Sequence, residues 1–75
     1  MKVIFGLHAE EKFQLFIERG FPISREQVLD CVEKPDRIDS GYNGRRVAQK
    51  VLDETHVLRV VYLELEGLKR IVTFY

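Results

Sequence analysis

The longest apolar pattern in the chain runs from His56 to Tyr75 and reads HVLRVVYLELEGLKRIVTFY. Two runs rich in β-branched and aromatic residues flank Gly67, which predicts strand–turn–strand. In the first run Leu58, Val60 and Tyr62 fall on one face, and Val57, Arg59, Val61, Leu63 and Leu65 on the other. In the second run Leu68, Arg70, Val72 and Phe74 oppose Lys69, Ile71, Thr73 and Tyr75. Neither face is wholly polar, which places this hairpin at the centre of a sheet. The alternation is still running at Tyr75, as expected of a strand that continues past that residue.

Upstream the period changes. Lys2 to Phe5 (KVIF) is a short strand, on an edge or second from it, ended by Gly6. From His8 to Arg19, Ala9, Phe13, Phe16 and Ile17 recur at helical spacing, opposite Glu10, Glu11, Lys12, Glu18 and Arg19. Gly20 supplies the C-terminal cap. Ser24 and Gln27 then form a capping box that opens a second helix, Arg25 to Glu33, with Val28, Leu29 and Val32 on its apolar side. Pro35 stops it. Arg37 to Ser40 has the makings of a strand, and Asn43-Gly44 favours a tight hairpin. Arg45 to Leu52 is compositionally ambiguous; the preceding turn and the paired strand that follows favour a strand. Val47 and Val51 then share one face, and Arg46, Ala48 and Lys50 the other.

The element order is β, α, α, then three or four antiparallel strands, an α+β fold in one domain. Two helices roof only one side of such a sheet. With Val47, Val51, Leu58, Val60, Tyr62, Val72 and Phe74 beneath the helices, the open side receives Arg46, Lys50, Arg59, Thr73 and Tyr75. Arg59 is the informative residue, because a charge inside an apolar strand must reach solvent or a partner. Its planar fork of donors suits a phosphate, or else a neighbouring acid. Val61, Leu63, Leu65 and Ile71 share that side as an apolar patch, of the kind that marks a protein interface.

Composition narrows the chemistry. With 75 residues the chain buries a limited core. Twelve basic and twelve acidic residues balance, so any phosphate site has to be a local cluster rather than a global field. The single cysteine, Cys31, excludes an internal disulfide and reads as a small buried hydrophobe on the second helix, or else as a reactive thiol, in a reduced, cytoplasmic protein. Neither a secretory signal nor an apolar run long enough to span a bilayer is present. His8 opens the first helix, where the dipole favours a neutral imidazole able to act as a base or donor, or simply to bond the backbone. His56 begins a strand and reads as a surface residue. Ligand-type spacings such as HxxxH or CxxC are missing, as are a phosphate loop and a nucleophile elbow, so no metal or cofactor is expected.

One resemblance emerges. His8-Ala9, Glu18-Arg19-Gly20, Ile23-Ser24, Val28, Pro35-Asp36, Leu58 to Val61 and Ile71 to Tyr75 together resemble the DUF4258 family of small bacterial and archaeal proteins. That family looks related to the RelE/ParE-like and BrnT toxins of type II toxin–antitoxin systems, whose βααβββ order agrees with the one above. The resemblance implies a metal-independent mRNA endoribonuclease acting on RNA or the ribosome and partnered by an antitoxin. It assigns Arg59 to the phosphate, His8 or Tyr75 to proton transfer, and Arg46, Lys50 and Thr73 to binding. Toxins of this type are strongly basic, whereas this chain is neutral. A different class of function, a non-catalytic module that binds a partner or a second copy through the apolar sheet face, is the alternative.

Overall fold

The computed structural model describes residues 2–75. Five strands and two helices follow in order: β1 (Lys2–Phe5), α1 (Leu7–Glu18), α2 (Arg25–Glu33), β2 (Arg37–Ser40), β3 (Arg46–Val51), β4 (Val57–Leu65) and β5 (Leu68–Phe74). The sheet order is β1-β5-β4-β3-β2. Strands β2 to β5 form an antiparallel meander, and β1 lies parallel to β5. The two helices carry the chain from one sheet edge to the other and pack on the sheet. The fold is α+β, with the His56–Tyr75 hairpin at its centre.

Each helix ends where the sequence stops it. At the end of α1 the Gly20 N–H reaches the Ile17 carbonyl and the Phe21 N–H reaches the Phe16 carbonyl, with Gly20 at φ 78°. This paired closure needs a left-handed residue, which glycine supplies without steric cost. At the start of α2 the Ser24 hydroxyl accepts from the Gln27 N–H at 3.1 Å, while the Gln27 side chain accepts from the Ser24 N–H at 2.8 Å. The expected capping box is therefore complete. Between β2 and β3, Asn43 and Gly44 both take positive φ and the Arg45 N–H bonds the Tyr42 carbonyl, the two-residue turn expected of Asn-Gly. The Gly41 N–H also bonds the Arg45 carbonyl, and Ser40 pairs with Arg46, so the ladder beyond the turn is offset by one residue.

The core lies between the helices and one sheet face. Ala9, Ile23, Val28, Cys31, Val32, Ala48, Leu58, Val60, Tyr62, Ile71 and Phe74 are buried. Aromatic rings fix α1 to the sheet: Phe13 and Phe16 lie 4.8 and 5.6 Å from Phe74 between centroids. Ile17, expected on the apolar side of α1, is instead more than half exposed, because the stripe that meets β5 runs through Ala9, Phe13 and Phe16.

Two strand faces differ from the sequence expectation. In β3, Ala48 pairs with Val60, Arg46 with Tyr62 and Lys50 with Leu58, so these three point to the helix side. Val47 and Val51 pair with Val61 and Val57 on the open side. The reason is steric. The Cys31 thiol of α2 donates to the Ala48 and Leu58 carbonyls at 3.5 and 3.7 Å, and a small side chain is what fits beneath that contact. In β5 a bulge interrupts the alternation, since Val61 pairs with Thr73 but Tyr62 pairs with Ile71. Val72 is the extra residue. Ile71 therefore belongs to the core rather than to the open apolar patch, and Val72 lies among open-side residues, lining a cavity with Leu63 and Arg70.

Candidate functional site on the open sheet face

The pairing register sorts charge between the two sides of the sheet. Lys2, Arg37, Arg59 and Arg70 belong to the open side, by their pairing with Leu68, Gln49, Gln49 and Leu63, and Arg45, just before β3, joins them by lining one cavity with Leu63 and Arg70. Among the described strand residues the acid on that side is Asp39, which accepts from Arg37 Nε at 3.0 Å. Much of the acidic complement sits on the helices, as Glu10, Glu11, Glu18, Glu26, Asp30 and Glu33. A chain of zero net charge thus presents a locally basic sheet face.

Two clusters stand on this face. The first is a row formed by Gln49, Arg59 and Tyr75. Arg59 Nε donates to Gln49 Oε1 at 3.0 Å, and its guanidinium carbon lies 5.9 Å from the Tyr75 ring centre. Arg59 and Tyr75 exchange both backbone hydrogen bonds, at 2.9 and 3.0 Å. The β ladder therefore holds the tyrosine beside the arginine, and the amide of Gln49 restrains the guanidinium while its outer nitrogens keep their donors. The second cluster is a cavity of about 420 Å³ where the open face meets the start of α1. Gly6, Leu7, His8, Glu11, Arg45, Leu63, Arg70 and Val72 line it. His8 stands exposed at its rim with Nδ1 3.8 Å from Glu11 Oε2. Leu63 is four residues beyond Arg59 on β4, so the clusters are roughly 13 Å apart along the strand.

The sequence-derived candidates distribute unevenly over this geometry. Arg59, Tyr75 and Thr73 are on the open side, as expected. His8 is at the open-side cavity but belongs to the other cluster, so His8 and Arg59 do not converge on one point. Arg46 and Lys50 are corrections. Both project from the helix side of β3, and Lys50 Nζ spans to α2, 2.7 Å from Asp30 Oδ2 and 3.1 Å from the Lys34 carbonyl. That ion pair holds the Asp30 carboxyl below, and the Lys50 amine above, its ordinary range. Lys50 therefore ties a helix to the sheet. Gln49, Arg45 and Arg70 were not singled out from the sequence. The signal for Arg70 was the spacing of Ile71 and Phe74, three apart in an otherwise alternating strand, which marks a bulge and reverses the face of what precedes it.

The remaining candidates take structural places. Cys31 is fully buried, and burial pushes its thiol up to about 11. His56 Nδ1 meets the Asp53 carboxylate at 2.9 Å in the turn before β4, and Phe21 lies against its ring. No group of three or more His, Cys, Asp or Glu side chains among the described residues is placed to hold a metal ion. No helix among them is long and apolar enough to cross a membrane.

Fold and face together define a class: a small α+β domain whose sheet is roofed by helices on one side and studded with arginines on the other. No protein-family model, curated protein or solved structure matches the chain.

Proposed function

We propose that the open face binds single-stranded RNA and that the chain is a toxin-like, RelE-type domain of the DUF4258 kind, a metal-independent mRNA endoribonuclease held in check by an antitoxin. The observation that carries this is the placement of Arg45, Arg59 and Arg70 on the uncovered side, beside Tyr75 and His8. Guanidinium groups contact phosphates, and an adjoining aromatic ring offers a stacking surface for a base. Arg59 and Tyr75 would seat one nucleotide. Arg45 and Arg70 would carry the phosphate nearest His8, which is the group positioned for proton transfer. The local basic face answers the neutrality of the whole chain, because phosphate contacts depend on the charges within reach of the strand.

Regulated expression in a bacterial host tests the reading. Growth arrest with cleaved mRNA, lost in Arg59→Gln and in His8→Ala, is the expected outcome. Unimpeded growth, together with RNA left intact by the pure protein, would exclude it.

A second reading is favoured by one observation: Ile4 and Leu65 are exposed on the same face, next to Leu63 and Leu68. A partner protein or a second copy of the chain would cover them. Leu65→Asp would abolish such an association in a sedimentation measurement and leave RNA cleavage in place.

A further inference from the structure

The cavity at the start of α1 carries more than a general basic surface does. Arg70 pairs with Leu63, and the β3–β4 register carried one residue beyond Arg46–Tyr62 sets Arg45 on the other side of Leu63, so the two backbones are about 10 Å apart. Neither forms an ion pair or a side-chain hydrogen bond among the described residues. Arg45 Nε is shut off from water and has no acceptor. Leaving a buried donor of a charged group unmatched is costly, and a negative charge in the cavity, met by the rest of the guanidinium, would offset part of that cost. Gly6 contributes by what it lacks. A Cβ there would stand 3.0 Å from the Ile71 carbonyl oxygen and 3.6 Å from Arg70 Nε, so glycine lets the Arg70 side chain lie against the β1–α1 junction. No side chain caps α1 at Gly6 either.

We infer that this cavity binds a nucleoside monophosphate group, its terminal phosphate between Arg45 and Arg70 and its nucleoside against Leu7, Leu63 and Val72. A phosphomonoester brings close to two negative charges and three strong acceptors, enough to serve two guanidinium forks at once. A cavity of about 420 Å³ is larger than a bare phosphate needs, and Leu7, Leu63 and Val72 give it an apolar wall beside the arginines. Leu7, 76% exposed at the rim, has no packing role that explains it and provides a face for a flat ring. Glu11, the acid in the lining, suits a ribose hydroxyl and disfavours a second anionic group. The choice of a nucleotide rests on the RNA reading above: once the strand is cut, the phosphate beside His8 becomes a terminal one and stays between Arg45 and Arg70, whereas Arg59 and Tyr75 hold the strand's interior.

Titration of the isotopically labelled full chain with AMP, inorganic phosphate and adenosine, followed by NMR, tests this. AMP should shift the amides of Gly6, Arg45, Leu63 and Arg70 and saturate, bind at least about tenfold more tightly than phosphate, and exceed adenosine by more. Arg45→Gln should weaken AMP about tenfold or more, and so should Leu7→Glu, which lies at an exposed rim and leaves the core untouched. Arg19→Gln, at the far end of α1, should change nothing. Equal affinity for phosphate and AMP, unaltered AMP binding in both cavity variants, or no saturable shift at low salt would each overturn the inference. RNA left uncleaved while AMP still fills the cavity would remove the ribonuclease reading and keep this one. RNA cleavage with no response to AMP would do the reverse.

Discussion

On the helix side of β4, Leu58, Val60 and Tyr62 are each 2% exposed or less, while on the reverse of the same strand Arg59, Val61 and Leu63 keep part of their surface in water. The side chains alternate along one backbone, yet their surroundings share little. The covered set touches the phenylalanines of α1 and the Val28–Val32 stretch of α2. The uncovered set meets mainly its cross-strand partners, Gln49, Val47, Thr73 and Arg70, and, at Leu63, the cavity by the start of α1. Stability is thus concentrated on one side of a single layer, which leaves the other side free to carry charge without destabilising the fold.

The widest contrast is expected from removing packed atoms. Phe74→Ala should cost about 3–5 kcal/mol, since the ring fills the space between Phe13 and Phe16. Val61→Ala, opposite Thr73 on the open side, should cost about 1 kcal/mol or less. Urea denaturation of the two variants reads the difference directly. Similar losses would mean that the open side is covered in solution.

A subtler pair tests the register of β3. Ala48→Leu should destabilise by about 1–3 kcal/mol because it overfills the space under Cys31. The same enlargement one residue away, Val47→Leu, should be close to neutral. Had the valines faced inward, the order would be reversed.

That register is where the expectation from sequence, with Val47 and Val51 beneath the helices, is reversed. Helices α1 and α2 and the hairpin β4–β5 are strongly periodic, and their caps are local: Gly20, Ser24 with Gln27, and Gly67 act on backbone within a few residues. In β3 the periodicity is equally good for either face. The decision is made at a distance, where Cys31 leaves room for Ala48 and where Lys50 reaches Asp30 of α2 with its head in solvent. The bulge at Val72 had the same effect on the site. It sends Ile71 inward and leaves Arg70 outward, so one half of the arginine pair at the cavity was invisible to simple alternation. Arg59 was legible because a charge amid Leu58, Val60 and Val61 has only one side to go to.

The smallest expected effect concerns the tie between α2 and β3. Asp30 is held charged by Lys50, so its folded carboxyl titrates below the unfolded one. Its contribution is complete above the ordinary aspartate range and fades as the pH falls through the folded value. Lys50 is the mirror case: its folded amine titrates above the unfolded one, and its contribution fades as pH rises beyond the lysine range. Lys50→Met should flatten both limbs of the stability–pH curve slightly, as expected for a pair open to solvent. RNA binding should not change.

In the proposed function the uncovered side, and not the chain's charge in general, would contact RNA. Fluorescence anisotropy of a labelled single-stranded RNA measures it most directly, with Arg59→Gln compared against Arg19→Gln, a loss of the same charge at the exposed end of α1. The account predicts weaker binding and a shallower salt dependence, by roughly 0.7 in the logarithmic slope, for Arg59→Gln alone. Equal losses in the two variants, or no binding by the unaltered protein at low salt, would contradict it.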